Sequence, residues 1–260
     1  MIFLKFRKYH KMEFSYYPIM FGLGVLGVDI GLVLFMSFGM FYPFFFCILY
    51  LLYVSFLWMK DVFLEDVSGQ YSFYDYRMFS QGFRLFLFSE LTLFFSIFWT
   101  FLDSSLCPLT WLGGIWSPIG ILSPDYLGIN GMASLFLMMN SQILKYSRRY
   151  LCLNMAKCES LLLLCIFIGG FFLCFQFFEY SHNCFVMNDS IYGSVFYIGT
   201  GLHGSHVFIG VFFLVINFFR IKLHNFNWYH TQAYDMSIDY WRFLEWMWGI
   251  MFCLLYVWGS

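Results

Sequence analysis

Glu90 stands in the middle of the run Leu85 to Trp99 (LFLFSELTLFFSIFW), whose other residues suit lipid or a helix core. A carboxylate near the centre of a membrane helix costs roughly 2.5 to 3.5 kcal/mol on insertion scales, so an acid there is a candidate for carrying a proton or an ion. The alternative is an acid held neutral by burial, or hydrogen-bonded to a neighbouring helix, that ties a bundle together. A second candidate is Thr200 to Gly210, TGLHGSHVFIG. His203 and His206 are three residues apart and share a helix face, a spacing that a metal or haem site could use. Two imidazoles need further ligands from other helices, and His10, His182, His224 and His230 fall at or beyond the ends of the apolar segments. Gly199, Gly201, Gly204 and Ser205 make the same helix thin, which suits close packing with histidines hydrogen-bonded across the interface. Eight cysteines are scattered without a CxxC pair, mostly in apolar runs, and point to neither a disulfide frame nor zinc.

The elements that must position these groups are set by composition. The 260 residues are 61% hydrophobic and 11% charged, with mean hydropathy +0.72, against about 25% charged in soluble chains. This is the composition of a polytopic membrane protein, and a net charge of -1 offers nothing to nucleic acid. Apolar segments of about 20 residues predict seven membrane helices: Tyr17 to Met36, Phe41 to Met59, Gly82 to Leu102, Leu127 to Tyr146, Glu159 to Phe178, Ile191 to Phe219 and Tyr234 to Trp258. The expected organisation is one polytopic membrane domain over residues 1–260, with helices 1–2 in about 15–60 and helices 3–7 in about 78–260. All 14 Lys and Arg fall on one side of that arrangement, and the connections at 103–126 and 181–190 carry none. By the positive-inside rule the N-terminus faces the compartment of synthesis and the C-terminus the opposite one. The basic N-terminal tail (Lys5, Arg7, Lys8, Lys11) has no cleavage signal before the next apolar stretch and is expected to be retained.

The motifs are specific when read in order. Ile191 to Gly210, IYGSVFYIGTGLHGSHVFIG, resembles the sixth-helix signature of subunit III of cytochrome c oxidase, the accessory subunit of the haem-copper oxidases. Tyr240-Trp241, Phe243 and a terminal Trp258-Gly259-Ser260 resemble that family's closing helix. Ser89-Glu90, Phe94-Phe95, Phe98-Trp99, Ser104-Ser105-Leu106, Pro108, Leu112-Gly113-Gly114, Trp116, Pro118 and Gly120-Ile121 continue the match. So do Trp58, Asp61, Val62 and Glu65 after the second helix, and Gln176 with Glu179-Tyr180 in the fifth. The first 50 residues match mainly in hydropathy.

The resemblance implies an all-α membrane protein of seven transmembrane helices, the first two splayed from a five-helix bundle, with the N-terminus on the matrix side and phospholipids in the cleft. It also implies an accessory subunit of the respiratory chain's proton-translocating oxidase, non-catalytic itself. Haem and copper belong to partner subunits I and II, which pass electrons from cytochrome c to oxygen. This chain is then expected to have no cofactor or metal of its own, with His203, His206 and Glu179 as structural groups at helix interfaces. Glu90 becomes the buried carboxyl near the lipid cleft. Arg220 resembles the family's lipid-contacting arginine, and Trp58, Glu65 and His230 are further headgroup candidates. The expected location is the mitochondrial inner membrane, with the C-terminus in the intermembrane space.

This sequence departs from the family pattern in places. Where the family reads YWHFxD, the chain has Tyr240-Trp241-Arg242-Phe243-Leu244-Glu245, and Arg242 is expected to pair with Glu245 or with a neighbouring helix. Asp103 and Met139-Asn140 replace family histidines, and Asp29 in the first helix has no assigned role. A quinol oxidase subunit III would share the fold and most motifs. A proton-coupled transporter using Glu90, Glu179 and Asp29 is a reading from another class; internal repeats and broken helices would favour it, and neither stands out.

Overall fold

The computed structural model describes residues 14–108, 114–118, 120–226 and 231–259. Among these there are seven α-helices and no strand: α1 (Tyr17–Phe38), α2 (Phe41–Val67), α3 (Phe73–Leu106), α4 (Ile129–Tyr150), α5 (Met155–His182), α6 (Ile191–Lys222) and α7 (Gln232–Met251). A π-helical turn, Phe252–Trp258, continues α7. The seven expected segments lie where hydropathy placed them. The main differences are extensions into polar sequence, α2 past Lys60 and α3 back to Phe73. Five helices (α1, α2, α3, α5 and α6) are long and apolar enough to cross a membrane by length and composition. The other two lack so long an apolar run, being interrupted by Asn130, Asn140, Gln142 and Lys145 on α4 and by Asp235, Asp239, Arg242 and Glu245 on α7. On α4 the uncharged polar residues Asn130, Ser134, Asn140, Ser141 and Ser147 are buried.

The chain divides into two compact units, one ending at Phe79 and the other beginning at Ser80. In the first, α1 and α2 form a hairpin. Gly39 ends α1 in a left-handed conformation (φ 69°), donating its N–H to the Phe35 carbonyl, and with Met40 it is the whole connection to α2. Gly24, Gly27 and Gly31 lie on one face of α1 and let α2 approach closely, as small residues do in membrane helix pairs. At Gly31 the approach is to backbone: a Cβ there would stand 2.7 Å from Phe44 Cα. Beyond α2, Tyr71 donates to Glu65 (2.6 Å) and Tyr76 to Asp66 (2.8 Å), tying the α2–α3 connection.

The second unit is an aromatic bundle of α3 to α7. Trp241, Trp248, Tyr192, Tyr234, Tyr240 and Tyr256 are all fully buried. Trp241 fits because two glycines face it: a Cβ on Gly169 of α5 would stand 2.9 Å from its ring, and one on Gly210 of α6 would stand 3.1 Å away. The outward faces carry exposed Phe167, Phe171, Phe208 and Phe212. Large polar-tipped rings inside and Phe outside is the arrangement expected when the solvent is lipid and interior hydroxyls must find partners.

Candidate functional site

Glu90 projects from α3 toward α6, where its Oε2 lies 2.8 Å from His206 Nε2. The other ring nitrogen of His206 lies 2.7 Å from the Leu202 carbonyl, one turn back on its own helix. A carbonyl only accepts, so Nδ1 carries a proton. A single further proton is then shared between Nε2 and the carboxyl oxygen, giving either acid and imidazole or carboxylate and imidazolium. Both forms are neutral overall, which removes the penalty that makes a lone acid expensive in lipid. The side chains retain 20% (Glu90) and 9% (His206) of their exposure, and Phe94 packs beside the imidazole at 5.4 Å. The pair holds one proton at a defined place between α3 and α6.

His203, one turn earlier, serves a different helix. It is fully buried, its Nε2 donates to the Leu244 carbonyl of α7 at 3.2 Å, and rings of Phe172 and Trp248 enclose it. The two histidines share a face, as their spacing predicted, but diverge toward α3 and α7. Among the described residues no three His, Cys, Asp or Glu side chains stand together as a metal-ligand set.

Glu179 is buried at the far end of α5, where its Oε2 accepts from Tyr256 (2.9 Å) and from Gln176 (3.2 Å). One residue on, Tyr180 meets Thr200 of α6 at 2.6 Å. Together these bonds join α5, α6 and the chain's closing π turn. Glu179 therefore sits at a helix interface, in a cluster separate from Glu90.

The remaining candidates scatter. In the first unit Trp58 stacks on Tyr17 (6.3 Å, 11°), whose hydroxyl donates to Asp61, and Glu65 accepts from Tyr71. Tyr71 is held protonated beyond the usual tyrosine range, by burial first and by the Glu65 hydrogen bond second. In the second unit Arg220 is buried near the end of α6, its guanidinium 4.7 Å from the Phe226 ring. His230 lies outside the described residues, as do the basic N-terminal tail, Leu112, Gly113 and Ser260. Arg242 does not pair with Glu245. It meets Asp239 at 3.5 Å, one turn toward the N-terminus, where an i,i+3 partner is equally within reach. Asp29 and Asp103 are exposed on α1 and α3. Met139 is exposed too, but Asn140 is fully buried and donates to the Cys165 carbonyl of α5 at 3.1 Å, so the departure at that position makes an interhelical clamp.

Several structural groups escaped the sequence reading. Arg148 of α4 makes an ion pair with Asp235 of α7 and donates to Thr231 at 2.9 Å. Ser147 and Tyr234 are hydrogen-bonded just inside it. Trp248 donates to Ser134 (2.9 Å), and Asn217 to Ser237 (2.9 Å). The available signal was that a buried Trp or Tyr in an apolar helix needs a polar partner; nothing in the spacing says which.

Comparison with known proteins agrees with this arrangement along almost the whole chain. The family described as Cytochrome c oxidase subunit III matches residues 7–260. Similar proteins named cytochrome c oxidase subunit 3 include one from Heterololigo bleekeri, 30% identical over 97% of this chain and 98% of its own length. Another, from Arabidopsis thaliana, is 33% identical over 97% of both chains. A third, from Rhizopus stolonifer, is 34% identical over 78% of this chain and 73% of its own. With the motif helices α3, α6 and α7 packed through Glu90, His203 and His206, and with a match that runs from Arg7 to the last residue, the chain belongs to the cytochrome c oxidase subunit III family.

Proposed function

We propose that the chain is the accessory subunit III of a cytochrome c oxidase in the mitochondrial inner membrane. Partner subunits I and II carry haem and copper there and move electrons from cytochrome c to oxygen with proton translocation. The observation that supports this reading most is the family match over residues 7–260. The geometry of the histidines supports a structural role for both, since His203 Nε2 donates to the Leu244 carbonyl and His206 lies between Glu90 and the Leu202 carbonyl. The Glu90–His206 pair then fixes α3 against α6. In this reading the N-terminus lies in the matrix and the C-terminus in the intermembrane space, a topology supported by the charge asymmetry of the connections. Arg220, Trp58, Glu65 and His230 are headgroup contacts for phospholipid in this reading, each within its own part of the chain.

Purification of the assembled oxidase tests it. The chain is expected to co-migrate stoichiometrically with subunits that hold all the haem and copper, and Glu90→Gln is expected to leave oxygen reduction substantially intact. Stoichiometric metal on this chain itself, or immediate and complete loss of oxygen reduction in an assembled Glu90→Gln complex, overturns the accessory role.

A further inference from the structure

A groove of about 690 Å³ runs along the outer face of α4 and α7, away from the Glu90 and Glu179 clusters. The two helices are antiparallel here, because Ser147 meets Tyr234 at one end and Ser134 meets Trp248 at the other. One end of the groove is polar, lined by Lys145 and Gln142 of α4 and by Arg242 and Glu245 of α7. The other is apolar, lined by Met138, Ile250, Cys253 and Leu254. From Arg242 to Leu254 the helix rises about 18 Å at 1.5 Å per residue, close to one leaflet of a hydrocarbon core of about 30 Å. Gly249 forms part of the floor, and a Cβ added there would meet nothing within 4 Å.

The charges decide what fits. Lys145 and Arg242 offer N–H donors, and Arg242 spends only part of its fork on Asp239 at 3.5 Å. Glu245 beside them offers two acceptor oxygens. A smaller polar recess of about 300 Å³ continues past this end, lined by Lys145, Arg148, Asp235, Asp239 and Arg242, and with Glu245 of the groove its three cations face three acids, so the local charge is balanced. An apolar partner helix would bury both signs without partners, at a penalty. A purely anionic headgroup would answer the cations and oppose the acids. A zwitterionic headgroup answers both, with charge-assisted hydrogen bonds at each end.

We propose that this groove holds one ordered phospholipid bearing a zwitterionic, primary-amine headgroup. Its phosphate lies against Lys145 and Arg242, its ammonium against Glu245, and one acyl chain crosses Gly249 between Met138 and Leu254. None of the residues that line the groove is among the headgroup contacts proposed above.

Photolabelling of the intact oxidase, reconstituted with phosphatidylethanolamine carrying a diazirine in its acyl chain, tests the assignment. Adducts are expected at Met138, Ile250, Cys253 or Leu254 above the level at Phe167 and Phe212, which are exposed on α5 and α6 and report general lipid contact. Gly249→Leu fills the open floor without a clash and is expected to reduce the groove adducts at least fivefold while leaving those at Phe167 and Phe212 unchanged. Lys145→Gln combined with Arg242→Gln is expected to do the same. Glu245→Gln is expected to weaken labelling by phosphatidylethanolamine but not by phosphatidylglycerol, which lacks the amine. Groove adducts that survive Gly249→Leu, or that never exceed the general level, overturn the proposal. So does a crosslinker on Cys253 that joins a neighbouring polypeptide, because the groove is then filled by protein. Absence of adducts at Phe167 and Phe212 as well overturns the membrane placement along with it.

Discussion

Replacing Glu90 by Gln and by Ala separates the two ways in which the carboxyl can share its proton with His206. The Leu202 carbonyl holds Nδ1 as a donor, so Nε2 accepts if the acid is neutral. Gln then substitutes directly, because its amide donates where the acid did; a difference within about 0.5 kcal/mol of the unmodified chain is expected, the size of a change that leaves interactions in place. Ala removes the 2.8 Å bond and leaves Nε2 unpaired in a site with little exposure. Measured interhelical hydrogen bonds in a bilayer average about 0.6 kcal/mol and reach about 1.7, well below the 1 to 3 kcal/mol for an unsatisfied buried group in water-soluble proteins. The burial of this pair argues for the upper part of the membrane range, roughly a tenfold change in the folded-to-unfolded ratio. SDS-titration unfolding of the purified variants, with His206→Ala and the double variant completing a cycle, measures it. If Gln proves as damaging as Ala, the pair is a carboxylate with an imidazolium and the neutral description is wrong.

Other perturbations follow from the packing and from the polar ties. Gly31→Ala places a methyl 2.7 Å from Phe44 Cα, a backbone atom that no rotamer can move, and is expected to destabilise the α1–α2 hairpin by about 1 to 3 kcal/mol. Gly22→Ala meets nothing within 4 Å and is expected to be neutral or slightly stabilising; limited proteolysis and SDS midpoints compare the two. Asp235→Asn breaks the pair with Arg148, whose side chains keep 33% and 44% exposure, so a loss of about 1 kcal/mol or less that shrinks in high salt is expected in the same titration. Tyr71 has its pKa raised above the ordinary 10.0 by burial and by Glu65, so its contribution is complete below about pH 10, declines above it, and is lost once pH passes the raised value. Tyr71→Phe is expected to flatten that alkaline decline, read from proteolysis of the α2–α3 connection; an unchanged profile contradicts the assignment.

Hydropathy alone located all seven helices, because in lipid the only requirement on the outer surface is that it be apolar, and length follows from bilayer thickness. It was least informative at α4 and α7, where Asn140, Ser147 and Tyr234 spend their polarity on neighbouring helices. Glu90 was legible as a candidate because an acid in an apolar run must be compensated. Its partner was not, since His206 lies 116 residues away and nothing local ties them. The spacing of His203 and His206 placed them on one face, and in the fold that face meets two helices, His206 reaching Glu90 of α3 and His203 the Leu244 carbonyl of α7. Arg242 had acids three residues away on both sides, and only the structure selects Asp239. Arg148 and Asp235 were visible as charges near helix ends, yet periodicity within one helix says nothing about contacts between two.

The two-residue link at Gly39 and Met40 bears on biogenesis. Three residue steps separate Phe38 from Phe41 and fully extended span about 11 Å, so the end of α1 and the start of α2 cannot part by more than that at any stage of synthesis. A state in which α1 alone has crossed and α2 waits outside would strand the glycine turn and its neighbours with no slack on the far side of the bilayer. The short link therefore favours entry of the hairpin as one body, with the Gly24, Gly27 and Gly31 face turned toward α2.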